Sequence, residues 1–505
     1  MITRPTTIPA LREWVATSGA FTLAPSPRVV VRPGDAGALE ATGHTIVEDL
    51  RAATGASPVV TVDGEPGAGD LRLDLTADDD ELGAEGYRLD VGDHVTISAN
   101  APAGAFYGSR TLLQLLGQSD RVSAGTARDW PRYPERGLMV DIGRKAFSAE
   151  WLAARIEEMA WLKLNLLHLH FTENMGWRIA SDGHPEVVSE EHLTKGEVRE
   201  LLALAARRHI TVVPEIDAPG HMGAALRAHP ELQLRDNEGK AKPNNLDYTL
   251  PEARQYLVEL VEEYLDLFPG PYWHTGADEY LLNFPPRPGG PDYGAYPQLH
   301  AYALEHHGPD ATPKDGILGL VNELNALVRS HGRTLRVWND GLDGGHAVTP
   351  DPDIVVEWWV DLEGPSPSEV LAAGHRIMNC GYFPTYYING FPGGPDVTLP
   401  DDMPMLPKPR AKELYQSWAP HRFHGPIFLE GRNLAAPQEI AADDARNLGA
   451  KLHIWNDDPS AATVEETAAG IVPYLRAMAQ QAWGSAPLVA SFAEFEPIIA
   501  EVGGP

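Results

Sequence analysis

The chain has 505 residues, with 40 lysines and arginines against 71 aspartates and glutamates, a net charge of −31. Such a surface repels phosphate backbones and anionic lipid, so neither nucleic-acid nor membrane partners are expected. A single cysteine, Cys380, excludes an intrachain disulfide, and no apolar run is long enough to span a membrane.

In chain order, the amino terminus carries no apolar leader, which gives a cytoplasmic expectation and leaves other export routes open. Residues 1–133 read as a small α+β domain. Strands are predicted at 28–32, 71–75, 87–91 and 95–99 from β-branched or alternating runs. Helices are predicted at 38–53, where Leu39, Ile46, Val47 and Leu50 share a side, and at 103–116. The Pro-rich stretch 129–136 reads as the linker. From residue 134 to 505 short apolar runs alternate with helical segments. The strands are expected at 138–142, 165–171, 210–216, 272–276, 334–338, 354–359, 375–380 and 451–455. Helices are expected at 149–164, 195–209, 251–268, 315–330, 438–448 and 463–483. Eight strands with crossovers predict a (β/α)8 barrel. A doubly wound open sheet competes, but no glycine fingerprint follows the first strand. The Pro/Gly-rich, aromatic segment 381–437 reads as an active-site loop with some helix.

Barrel chemistry sits at the carboxyl ends of the strands. There the sequence places Asp141 and Arg144, then His168, His170 and Glu173, then Glu215, Asp217 and His221. Asp278-Glu279, Trp338 with Asp340, Trp358-Trp359, and Trp455 with Asp457 follow. Carboxylates beside indoles suit a sugar, whose hydroxyls need hydrogen bonds and whose C–H faces stack on flat rings. His168 and His170 share a strand face and read as a hydrogen-bonded core pair, since nothing completes a metal site. Asp278-Glu279 is the sharpest feature. Two adjacent carboxylates after an apolar strand are costly without partners or a task. Like charge raises one pKa and keeps a proton available for a glycosidic oxygen. Successive strand residues face opposite ways, so the chain must leave regular geometry here, and Gly276 can permit it.

Four stretches in order then carry a resemblance: 136–144, 163–178, 213–221 and 274–279. With them the chain resembles glycoside hydrolase family 20, the β-N-acetylhexosaminidases, over nearly its whole length. The resemblance implies a catalytic barrel behind a small α+β domain. It also implies release of terminal β-linked N-acetylglucosamine or N-acetylgalactosamine from oligosaccharides or glycoconjugates, without cofactor or metal. The sugar's own 2-acetamido oxygen would be the nucleophile, an exception to the two-carboxylate scheme. Asp278 would orient the acetamido group and Glu279 would act as acid, then base. Arg144 and Asp457 match positions that hold sugar hydroxyls. Trp338, Trp359 (favoured over Trp358) and Trp455 match the aromatic walls. Tyr387 matches a tyrosine bonding the acetamido carbonyl, and His221 and Glu173 match groups supporting the acid. The chain departs from the family with Glu173 in Thr172-Glu-Asn, with Ala277, and with Asn389 in Tyr387-Ile-Asn, which alters the sugar-binding ring. Within the family, a lacto-N-biosidase or an enzyme for 6-sulfated sugar is the alternative. A metal-dependent amidohydrolase using His168, His170, His221 and Asp278, and a non-catalytic glycan binder, are the remote ones.

Overall fold

The computed structural model describes residues 4–281, 292–342, 344–361, 364–390, 411–425 and 437–505. Seven amino-terminal strands form one sheet: β1 Glu13–Phe21, β2 Arg28–Val31, β3 Val59–Val62, β4 Leu71–Asp74, β5 Tyr87–Val91, β6 Val95–Ala99 and β7 Val122–Asp129. Their order is β1-β7-β5-β6-β4-β2-β3. Helices Ala36–Thr54 and Pro102–Gln118 pack on each other and on this sheet. Alternation explains the well-predicted strands: in β5, Tyr87, Leu89 and Val91 are buried while Arg88 is exposed. β1, β3 and β7 were not expected. β1 and β3 are the two edges of the sheet, mostly half-exposed, and β1 is poor in regular apolar alternation.

Eight parallel strands follow: β8 Glu135–Asp141, β9 Leu166–His170, β10 Thr211–Ala218, β11 Tyr272–Gly276, β12 Thr334–Trp338, β13 Val355–Trp358, β14 Arg376–Asn379 and, after a short β15 Tyr386–Ile388, β16 Asn447–Trp455. β14 pairs with β16 and β16 with β8, which closes a (β/α)8 barrel and removes the open-sheet alternative. β15 adds to the side of β16. Every residue of β8 and β16 is buried, as befits strands covered on both faces. Closure depends on Gly449 (φ 128°), where a Cβ would lie 2.0 Å from the Glu135 carbonyl oxygen.

The expected helix at 438–448 is absent. Its first residues, Gln438–Glu439, pair as a short strand with Arg422–Phe423, and β16 starts four residues before the predicted 451. Asp444 accepts from both the backbone and the guanidinium of Arg446, a local turn that competes with helix. The helix expected at 463–483 is two, Val464–Gly470 and Val472–Trp483, and an unpredicted helix spans Pro297–His307. Of the loop expected at 381–437, residues 391–410 and 426–436 lie outside the described residues.

The barrel floor is ionic. Arg336 pairs with Glu135 (2.9 Å) and Glu357 (2.6 Å), and Lys451 pairs with Glu357. The two domains also meet through buried charge. Arg136 of β8 pairs with Glu85 (2.8 Å), and Lys163, just before β9, reaches Asp129 (3.0 Å) and the Tyr87 hydroxyl (2.7 Å).

Candidate active site

β11 ends in a break from extended geometry: Gly276 (φ 69°), Ala277 (φ 72°) and Glu279 (φ 52°) are all left-handed. Space also dictates glycine at 276, where a Cβ would lie 1.7 Å from Asp217 Oδ1. The turn swings two adjacent carboxyls to one side. His221 Nε2 lies 3.6 Å from Asp278 Oδ2 and 3.3 Å from Glu279 Oε2. Left-handed backbone at non-glycine residues costs of order 1–3 kcal/mol each and persists only when surroundings fix it. Asp340 at the end of β12 supplies that fixing. Its Oδ2 accepts the Glu279 N–H at 2.8 Å, and its Oδ1 accepts the Trp359 indole N–H at 2.8 Å.

Behind the turn runs a charge relay. His221 Nδ1 lies 2.7 Å from Glu173 Oε1, and the Arg144 guanidinium pairs with Glu173 and with Asp141 (3.0 Å). Burial would raise Glu173, but Arg144 and His221 outweigh it and hold this carboxyl far below the usual range. Burial would likewise lower His221, but Glu173 and Asp278 outweigh it and keep the ring protonated well above its ordinary value. An imidazolium is therefore poised against both Asp278 and Glu279.

A cluster of carboxyls lies alongside. Burial, then the charge of Asp278, pushes both Asp217 and Asp340 well up. Burial also raises Asp278, opposed by His221. Of the three, Asp278 alone pairs with the His221 imidazolium. Its Oδ1 is buried with no hydrogen-bond partner among the described residues, an acceptor left for a ligand N–H.

Trp338, Trp359 and Trp455 come together in one aromatic cluster. Trp338 donates its indole N–H to Glu215 (2.9 Å) and lies 6.1 Å from Trp455. Arg144 covers the other ring, 5.1 Å from the Trp455 centroid. Trp358 points away and donates to the Pro365 carbonyl. The expectations for Tyr387 and Asn389 are corrected. On β15 it is Tyr386 that faces the cage, stacked on Trp359 (6.3 Å, 8°) and 5.8 Å from Trp455. Tyr387 points the opposite way, against Tyr474 at 5.3 Å, as strand alternation requires. Asn389 donates its amide to Asn456 and Thr467 (both 3.0 Å), so it ties β15 to the barrel instead of reaching a sugar.

Asp457 stands exposed at the rim of this pocket. Surrounding protein mass, with Asp141, Glu279 and Glu173, pushes its carboxyl up to about 6 against the pull of Arg144. If Asp457 binds a sugar hydroxyl as a carboxylate, that contact weakens as pH falls through about 6. The acidic limb of kcat/KM should accordingly sit near that pH and flatten in Asp457→Asn, a change read directly from pH–rate profiles of the two proteins. An unchanged limb in the variant would remove Asp457 from substrate binding.

His168 and His170 are core groups as expected. His168 Nε2 lies 3.0 Å from Glu215, and its Nδ1 meets the Lys451 ammonium, with burial and that ammonium pushing it down to about 3. His168, Glu215 and His274 are close enough to share a cation, as are Asp217, His221 and Asp278. The Lys451 ammonium opposes a metal at the former, and the His221 imidazolium opposes one at the latter. The sequence marked Asp340 only as a strand-end carboxylate without a role, and it did not single out Tyr386.

The family model for the glycosyl hydrolase family 20 catalytic domain matches residues 133–485, and that for the family's domain 2 matches residues 4–130. A lacto-N-biosidase of Bifidobacterium bifidum is 30% identical over 508 residues, covering 100% of this chain and 42% of that protein. A β-N-acetylhexosaminidase of Cellulomonas fimi is 30% identical over 346 residues, 64% of this chain and 62% of its own. The chain thus spans about half the length of the curated relatives it matches. Among solved structures, the family 20 β-N-acetylhexosaminidase of Streptomyces coelicolor superposes with a TM-score of 0.72 at 26% identity, over 98% of this chain and 94% of its own. A mutant Streptomyces plicatus β-hexosaminidase in complex with GlcNAc gives 0.72 at 25%, over 98% and 93%. With its barrel, its accessory domain and its Asp-Glu pair in place, the chain belongs to glycosyl hydrolase family 20.

Proposed function

We propose that this chain is an exo-acting β-N-acetylhexosaminidase that hydrolyses terminal non-reducing β-linked N-acetylhexosamines with retention, using the substrate's acetamido group as nucleophile. The observation that carries the reading is the pairing at the end of β11. Asp278 and Glu279 both reach one imidazole nitrogen, and Asp278 keeps a buried oxygen with no hydrogen-bond partner among the described residues. A classical retaining pair instead faces itself across the bond, at about 5–5.5 Å. Here Asp278 accepts the acetamido N–H and stabilises the charge that develops as the acetamido oxygen attacks the anomeric carbon. Tyr386 and the indoles of Trp338, Trp359 and Trp455 enclose the acetamido group and ring. Glu279 protonates the leaving oxygen and later deprotonates water. The His221 imidazolium stabilises the Glu279 carboxylate formed in the first step, and Glu173 holds that imidazolium in place. Arg144 and Asp457 hold hydroxyls of the terminal sugar.

A second reading, release of a disaccharide such as lacto-N-biose, is favoured by the whole-chain likeness to the Bifidobacterium bifidum protein. Aryl β-glycosides of N-acetylglucosamine, N-acetylgalactosamine, glucose and lacto-N-biose separate the two. The N-acetylhexosaminides should be cleaved, with the β-anomer appearing first by proton NMR, and the glucoside should be nearly inert. Cleavage of the disaccharide alone would replace the exo reading. An early α-anomer would reject the mechanism.

A further inference from the structure

Two copies of one short motif, His184-Pro-Glu186 and His229-Pro-Glu231, lie in successive loops of the barrel mouth, after β9 and after β10. Each histidine precedes a 3-10 turn with nearly the same backbone, φ −132° and ψ 60° at His184 and φ −126° and ψ 63° at His229. The turns face each other across one carboxylate. Glu186 Oε1 lies 3.2 Å from His184 Nδ1 and 3.0 Å from His229 Nε2. One ligand atom from each of the three residues lies within 4.8 Å of the others.

Each ring has a further carboxylate at its other nitrogen. His184 Nε2 is 3.6 Å from Glu259, and His229 Nδ1 is 3.3 Å from Glu231. Carboxylates in that outer position orient metal-ligating histidines and fix their tautomers. Tyr256 packs its ring against both imidazoles at 4.9 and 4.7 Å, and its hydroxyl is buried without a hydrogen-bond partner among the described residues.

We propose that His184, Glu186 and His229 bind one divalent ion of the zinc class and so clasp the two loops that carry Glu173 and His221. Two nitrogens and one carboxylate suit zinc, whereas calcium and magnesium demand all-oxygen shells. Loading needs no co-reactant. The ion takes His184 Nδ1 and His229 Nε2 as ligands, and each ring keeps its single proton on the nitrogen that faces Glu259 or Glu231.

The test uses tag-free full-length protein, stripped with a chelator, exposed to zinc chloride and freed of loose ion by gel filtration. Wild type should retain one equivalent of zinc more than His184→Gln/His229→Gln, by elemental analysis. Zinc should raise its unfolding midpoint by a few degrees, and the double variant should show no such rise. Glu186→Gln, which keeps the size of the side chain, should lose the same equivalent. Equal zinc retention by wild type and both variants would overturn the proposal, as would displacement of the ion by magnesium at equal concentration.

Discussion

Glu279→Gln should lower kcat/KM on a natural oligosaccharide by about 10²–10⁴-fold, the range of a lost general acid, and cost far less on an aryl glycoside with an acidic phenol. A good leaving group departs as its anion and needs little protonation, so the deficit must grow with leaving-group pKa. The geometry suits this carboxyl to the proposed role. Glu279 is the more exposed member of the pair, its side chain 32% accessible against 13% for Asp278, so it can reach the bond at the pocket mouth. A series of substituted phenyl glycosides measures the effect as a steeper dependence of rate on leaving group in the variant. A uniform loss across the series would assign the acid to another residue.

Asp278→Asn should instead lose about 10²–10³-fold on poor and activated substrates alike, because it removes charge stabilisation at the acetamido group and leaves leaving-group protonation intact. Asparagine keeps the size of the side chain but places either a second donor against the acetamido N–H or an amide oxygen of only partial charge. The neighbourhood responds as well, since the Asp278 charge is part of what pushes Asp217 and Asp340 up. A thiazoline mimic of the cyclic oxazolinium intermediate gives the decisive readout. A site shaped for that cation should bind the mimic far more tightly than the product sugar, and the variant should lose this preference in step with its loss of kcat/KM. Undiminished thiazoline affinity alongside lost activity would separate Asp278 from the acetamido group.

Much of this architecture was legible in the sequence, for physical reasons that differ by element. Parallel barrel strands are buried on both faces, so β8 and β10 could be read from short apolar stretches without alternation, such as Leu138–Val140 and Val212–Pro214. The polar residues that terminate those runs mark the catalytic rim without any structure. The β11 break could be inferred because adjacent carboxylates cannot both face a substrate from a regular strand. Tyr386 could not, because a three-residue strand with consecutive tyrosines has no alternation to read, and only its pairing with β16 decides which ring faces inward. Asp340 was legible only as a strand-end carboxylate, because its contact with the Glu279 backbone N–H joins residues 61 apart in sequence. The false helix at 438–448 shows the limit of composition, since its alanines and acidic residues read as helical while Asp444 spends its side chain on a turn.

The buried pairs between the two domains bear on how such a protein can be dismantled. Arg136 and Lys163 belong to the barrel, and their counter-charges, Glu85 and Asp129, belong to the amino-terminal sheet. With the joint closed, removing one counter-charge, as in Asp129→Ala, would leave a buried cation unpaired at the root of a barrel strand, at a cost of several kcal/mol. The smaller domain thus supplies half of an electrostatic joint whose other half is the barrel.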